Sequence, residues 1–215
     1  MAEVLRRHAM VNPSPPAWAA VMALRSDLAE EPLVAGWAQA GYPLVVRRPA
    51  CGEAAGTVPL GLPLPPAHGK RRIAVTLEPD EIVHAGPPPL LAEAATVAPP
   101  GWRDGIDRLL HLDPLTRTFG SLAWQHLTGL PYLSEGSDLD LLWRLPSEAD
   151  VGALLAGIAA IARETPMRID GEVVGAAGGV QWRELQGDDA GAILVKGSRD
   201  VRMMQRADFL AGGAG

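Results

Sequence analysis

The stretch Ser137-Asp138-Leu139-Asp140-Leu141-Leu142-Trp143 sets two carboxylates two residues apart in an otherwise apolar run. Extended backbone alternates its side chains, so Asp138 and Asp140 share one face, about 6.6 Å apart along the chain, and Leu139, Leu141 and Trp143 take the other. Carboxylates that close repel each other unless a cation stands beside them. A hard divalent ion such as Mg²⁺ takes oxygen ligands of this kind and also holds substrate phosphates. An edge strand with an acidic solvent face is the alternative that the pair alone leaves open. Upstream, Gly120-Ser121 opens a short apolar segment. A glycine and a serine at a helix start let backbone N–H groups approach an anion, and the helix dipole adds attraction for a phosphate. By itself this is also what a plain capped helix looks like. Together, a phosphate cradle, a helix and a carboxylate-bearing strand suit a ligand resembling a nucleoside triphosphate.

A second concentration of charge lies nearer the N-terminus. Between residues 44 and 72 stand Arg47, Arg48, Lys70, Arg71 and Arg72 against a single acid, Glu53. This is a local inversion in a chain whose formal net charge is −6. Lysines and arginines that protect a solvated strand edge give the same pattern. Lys196 ends the run Ala192-Ile193-Leu194-Val195-Lys196. Trp124 and Trp182 read as core residues. The five histidines are scattered without partners in sequence, and the single cysteine, Cys51, sits in a Pro/Gly loop as a bystander thiol.

The elements that must position these residues follow from periodicity and punctuation. Residues 16–31 carry Trp18, Val21, Met22 and Leu28 at helical spacing up to Pro32. Residues 43–49 and 70–77 read as strands, with the Pro-rich Val58–Pro66 between them as an irregular loop. The run 86–101 is too proline-rich for a strand and marks the boundary between two domains, 1–95 and 96–215. Beyond it the pattern predicts a helix over 101–113, a second helix capped by Ser121 and ending near Gly129, and a strand over 138–143. Ser147 and Asp150 form a capping-box pattern ahead of a helix that runs to Pro166. Strand-like segments then begin at Met167, Glu172, Val180 and Ala192. Helix, strand, helix and strands in that order give an α+β class with a mixed or antiparallel sheet in the second domain, and a smaller α/β-containing domain precedes it.

Composition narrows the function. The chain has 215 residues, 47% of them hydrophobic, enough for a substantial core. Its acidic balance disfavours nucleic acid and anionic membranes as partners. One cysteine excludes an internal disulfide framework, and no Cys/His cluster has zinc spacing. No apolar run reaches signal-peptide length at the N-terminus, or the roughly 18 residues of a spanning helix elsewhere, so the expectation is a cytoplasmic protein that does not enter a membrane.

Gly120-Ser121 followed by Ser137-Asp138-Leu139-Asp140-Leu141 resembles the signature of the polymerase-β-like nucleotidyltransferase superfamily. The longer string RTFGSLAWQHLTGLPYLSEGSDLDLLW is similar to one family within it. MRIDGEV, VQWREL and ILVK later, with PLVVRRP and GKRRIA earlier, extend the similarity over most of the chain. That family is the malonate decarboxylase holo-acyl-carrier-protein synthases, or phosphoribosyl-dephospho-CoA transferases. The gap from Ser121 to Asp138 is longer than in the minimal nucleotidyltransferases, which leaves a loop for work particular to the family.

The resemblance implies a reaction in which triphosphoribosyl-dephospho-CoA is joined through a phosphodiester to a serine of the apo acyl carrier subunit of malonate decarboxylase, with release of diphosphate. It implies Mg²⁺ held by Asp138 and Asp140, diphosphate held by Gly120 and Ser121, and a third carboxylate on a neighbouring strand. Asp170 matches that position, with Glu172 as the substitute; Asp170-Gly171 is equally a hairpin-turn dipeptide. Arg47, Arg48 and Arg71 would meet substrate phosphates or the carrier protein, Lys196 would reach the triphosphate, and the N-terminal domain would serve recognition. Two other readings share the same residues: a Mg²⁺-dependent nucleotidyltransferase with a small-molecule or RNA acceptor, and a non-catalytic module that binds a nucleotide or a carrier.

Overall fold

The computed structural model describes residues 5–69, 71–187 and 191–212. The chain divides into two compact units, Met1–Pro88 and Pro89–Gly215, where a boundary after residue 95 was expected.

The first unit is built on an antiparallel sheet. β1 (Met10–Pro13) leads into α1 (Pro15–Leu24), α2 (Ser26–Ala29) and α3 (Pro32–Ala35), and then come β2 (Leu44–Val46), β3 (Val58–Pro63), β4 (Arg72–Leu77) and β5 (Ile82–Gly86). The strands lie in the order β4-β3-β2-β1-β5, each antiparallel to its neighbours. The helix expected over 16–31 is broken at Arg25, and Pro32 opens a helical turn instead of closing one. Trp18 and Trp37 are fully buried and donate their indole N–H groups to the carbonyls of Val34 and Pro43.

The expected loop at Val58–Pro66 is largely strand β3, in the interior of the sheet. Its apolar residues alternate, with Val58, Leu60 and Leu62 buried. The prolines fall on the intervening positions. The Pro59 carbonyl accepts from the N–H of Arg47. That side of β3, where the prolines lack a donor, therefore faces β2, which pairs β3 only at Leu60 and Gly61. The long ladder to β4 keeps its donors.

The second unit contains α4 (Leu91–Ala94), α5 (Arg103–Leu112), β6 (Arg117–Phe119), α6 (Gly120–Thr128), β7 (Leu139–Arg144), α7 (Glu148–Glu164), β8 (Ile169–Gly175), β9 (Gly178–Gln181), α8 (Trp182–Gln186), β10 (Ala192–Lys196), β11 (Val201–Gln205) and α9 (Arg206–Ala211). Its sheet runs β11-β10-β9-β8-β7-β6. Only β7 and β8 are parallel, joined by the crossover helix α7. The α+β class is as the sequence implied, and of the two sheet types it left open, mixed or antiparallel, this sheet is mixed.

Several local expectations are overturned. Val180–Leu185 does not stay extended: β9 stops at Gln181 and α8 begins at Trp182. β11 and α9 carry no signal the sequence reading picked out. Ser147 is the N-cap of α7, but its Oγ donates to the Asp150 carboxylate and makes no cap hydrogen bond to the backbone. The N-cap of α6 is Phe119, with Ser121 one residue inside the helix.

The core fixes which face of the sheet is open. Leu139, Leu141 and Trp143 of β7 and Ile169 and Val173 of β8 are fully buried with Leu155, Ile158 and Ile161 of α7 and Ile106 and Leu109 of α5. Alternation leaves Asp140, Leu142, Asp170 and Glu172 for the other side. Among the described residues no helix is long and apolar enough to cross a membrane.

Candidate active site

Asp138 stands one residue before β7, and Arg168 one residue before β8. The N–H of Leu139 donates to the Arg168 carbonyl at 2.9 Å, which starts the parallel ladder there. Arg168 lays its guanidinium along Asp138: Nε donates to Oδ1 at 3.0 Å and Nη2 to Oδ2, and the same Nη2 lies 3.6 Å from an Asp170 oxygen. The Asp138 carboxyl is held below the usual carboxylate range, first by the hydrogen bonds from Arg168 and then against the opposing effect of burial. Arg168 is held charged still more firmly than an ordinary arginine, chiefly by the same bonds. The counter-charge that the acidic strand demanded is in this structure a guanidinium.

Asp140 sits at the centre of the open face. Parallel register sets it directly beside Asp170, and its other neighbour is Phe119 of β6. Its carbonyl accepts from Thr118 Oγ1 at 2.9 Å. β6 runs straight into α6, which brings the first helical residue onto the carboxylate. A Cβ built on Gly120 would lie 1.9 Å from Asp140 Oδ2, and the glycine has φ +64°. Glycine is therefore required there twice over, by backbone conformation and by space. The first N–H groups of α6, Ser121 among them, have no partner within the helix. Gly120 thus brings a helix N-terminus and a carboxylate into contact, and Ser121 lies in that first turn without capping it.

Asp170 and Gly171 do not form a turn. They lie within β8, and a Cβ on Gly171 would fall 2.3 Å from the Leu141 carbonyl, so the glycine serves the close approach of β8 to β7. Asp170 Oδ1 accepts from the N–H of Gly171 at 2.8 Å and from Gln181 Nε2 at 2.6 Å. Gln181 Oε1 in turn accepts from the N–H of Arg183 at 2.6 Å. That bond fixes the orientation of the amide, so the Gln181 NH₂ has to point at Asp170. Glu172 is buried and accepts from Lys196 Nζ at 3.1 Å. Of the two residues weighed as the third carboxylate, Asp170 lies beside Asp140 and half-buried, whereas Glu172 is engaged with Lys196 two residue pairs further along the β7–β8 ladder.

The basic residues separate. Arg168 and Arg183, which sequence reasoning missed, belong to the carboxylate face. Arg183 stacks 4.4 Å above the Trp182 ring, and its charge reaches Asp138. Arg47 in the first unit has its fork committed: Nη1 and Nη2 to Glu53, Nε to the Leu60 carbonyl. The Glu53 carboxyl is held low by these hydrogen bonds. Arg71 pairs with Glu31. Lys70 lies outside the described residues.

Among the described residues no group of three or more His, Cys, Asp or Glu side chains converges closely enough to hold a metal ion. The donors present on this face, carboxylate oxygens alone, are nevertheless of the type a hard divalent ion takes.

Carboxylates on adjacent parallel strands, arginines beside them and a helix N-terminus against one of them make up a strongly charged face. Residues 90–207 match the C-terminal domain of phosphoribosyl-dephospho-CoA transferase MdcG, and residues 6–88 match its N-terminal domain. A phosphoribosyl-dephospho-CoA transferase of Bradyrhizobium diazoefficiens is 42% identical over 97% of this chain and 94% of its own length. Proteins of the same name from Xanthomonas campestris pv. campestris and Klebsiella pneumoniae are 37% identical over 87% of the chain and 32% over 82%. The chain belongs to the phosphoribosyl-dephospho-CoA transferase family and is an enzyme of the transferase class. No solved structure matches it.

Proposed function

We propose that the protein transfers the phosphoribosyl-dephospho-CoA group from triphosphoribosyl-dephospho-CoA to a serine of the apo acyl carrier subunit of malonate decarboxylase, in the cytoplasm. The serine oxygen forms the new bond to phosphorus, the bond to the leaving diphosphate breaks, and the serine proton is released. The observation that carries the reading is the match of both units to the two domains of one family, over nearly the full length of the chain.

The residues of the open face fit that chemistry. Asp138 and Asp140 would hold Mg²⁺, which when bound offsets charge gathering on the phosphoryl oxygens. The N–H groups at Gly120 and Ser121 receive the departing diphosphate. Asp170, kept in place by Gln181, completes the carboxylate set where the acceptor hydroxyl loses its proton. Arg168 and Arg183 add positive charge where a polyphosphate must lie, and the N-terminal unit serves substrate and carrier recognition. This fits a nucleotidyltransferase-type site on a mixed sheet.

Incubation of the purified protein with the apo acyl carrier subunit, Mg²⁺ and triphosphoribosyl-dephospho-CoA tests the reading. Mass spectrometry of the carrier should show it heavier by one phosphoribosyl-dephospho-CoA group, with one diphosphate released per carrier. An unmodified carrier overturns the proposal.

A further inference from the structure

The N-terminal unit holds an arginine with a guanidinium nitrogen buried and unsatisfied among the described residues. Alternation puts Arg48 on the face of β2 that carries Leu44 and Val46, both buried. Its Nη1 is shut off from solvent with no hydrogen-bond partner among the described residues. Arg47 and Arg71, from the same basic stretch, are each paired with a glutamate.

The backbone beside Arg48 is unusual as well. The N–H of Ala9 closes a turn on the Arg6 carbonyl at 3.0 Å, and the third residue of that turn, His8, has φ +72°. It is the one non-glycine residue with a positive φ among those described. Val46 faces two residues of the opposite chain, accepting from the His8 N–H at 3.0 Å and donating to the Ala9 carbonyl at 2.8 Å. That is a bulge, a device that re-aims side chains at the end of a ladder. Glycine would adopt the His8 conformation without steric cost. A non-glycine residue in that region is a strained feature of the kind that clusters at ligand sites.

We propose that Arg48, with the Arg6–Ala9 turn beside it, forms an anion subsite that takes a phosphate group. A guanidinium N–H buried without an acceptor carries an uncompensated desolvation cost, and an oxyanion in the site removes it. The planar fork of arginine matches two phosphate oxygens at once. Phosphate fits better than a single carboxylate because its further oxygens can accept from the remaining N–H groups of the same guanidinium. In the transferase reading the phosphate is one of the substrate's own, and to that extent the proposal rests on that reading; its test does not.

The probe is inorganic phosphate, titrated calorimetrically into the full-length protein at constant ionic strength, with Arg48→Met and, as a control at an exposed arginine, Arg202→Met alongside. The expected dissociation constant for phosphate rises at least about tenfold in Arg48→Met, a loss of roughly 1.4 kcal/mol, and is unchanged in Arg202→Met. In phosphate-free buffer Arg48→Met should melt at or above the wild-type temperature, since it removes a buried N–H that has no acceptor. Unaltered phosphate affinity in Arg48→Met, or a lower melting temperature in phosphate-free buffer, overturns the subsite. An unmodified carrier in the transfer assay, with phosphate binding as expected, strikes the transferase reading alone.

Discussion

At the scale of single residues, the carboxylate face makes graded predictions. Asp138→Asn and Asp140→Asn each remove a charged oxygen donor from a solvent-reachable face without touching the core, so transfer should fall by orders of magnitude while the melting temperature stays close to wild type. Mg²⁺-dependent turnover near normal in either variant would count against the metal assignment. Gly120→Val should be worse than Ser121→Ala, because any Cβ at 120 strikes the Asp140 carboxylate, while Ser121 makes no cap hydrogen bond. Gln181→Glu sets a carboxylate against Asp170, where Gln181→Asn leaves the chemistry of the amide but shortens its reach. Turnover rather than substrate KM should suffer, more in the first than in the second. Arg168 bears on pH. Its pairing depresses the Asp138 carboxyl, so the stability this adds is present above the ordinary aspartate value, near about 4, and is lost as pH falls through the depressed value. The gap in melting temperature between wild type and Arg168→Gln should therefore be small but measurable at pH 7 and close toward pH 2; a gap that widens in acid contradicts the pairing. Arg168 was invisible in the sequence because its partner lies thirty residues away and they meet only through the parallel register of β7 and β8. Asp138 and Asp140 were legible because alternation is a local property.

At the scale of elements, the sequence was readable where side-chain pattern and backbone agreed, and misleading where one residue type dominated. β7 declared itself through its alternation of Leu and Asp. β3 has the same alternation, hidden by two prolines whose missing donors point toward the short strand β2. Asp170-Gly171 has the composition of a turn, yet tertiary packing keeps it extended, because Gly171 is what allows the Leu141 backbone and the Trp143 ring so close. That contact is testable. Gly171→Ala forces a Cβ into a carbonyl, which cannot yield as a flexible side chain would, and overpacking of this kind costs about 3 kcal/mol. Denaturant unfolding should register that loss. A variant as stable as wild type would mean that the β7–β8 spacing has slack, and with it the juxtaposition of Asp140 and Asp170.

At the scale of the whole molecule, the proline-rich joint decides what is separable. Its composition announced a boundary but not the side on which its residues pack. The division lies between Pro88 and Pro89, whereas the proline-rich pattern suggested 95. The difference is α4. Leu90 bridges to Arg117, the N–H of Leu91 donates to the Thr116 carbonyl at 2.8 Å, and Leu91 and Ala94 are fully buried in the core of the second unit. That unit has an ordinary domain's size. A fragment of residues 89–215 should therefore fold and melt cooperatively by itself. A fragment of residues 96–215 lacks Leu91 and the edge pairing that holds β6. Loss of one buried leucine costs at least about 3 kcal/mol, out of the roughly 5–15 kcal/mol by which a domain is stable. Because β6 leads directly into Gly120, the shorter fragment should also lose the packing that sets α6 against Asp140. Thermal melts of the two fragments side by side decide the point: equal cooperativity and equal midpoints would show that α4 contributes nothing to the second unit, and a lower or absent transition in the shorter one is the expected result.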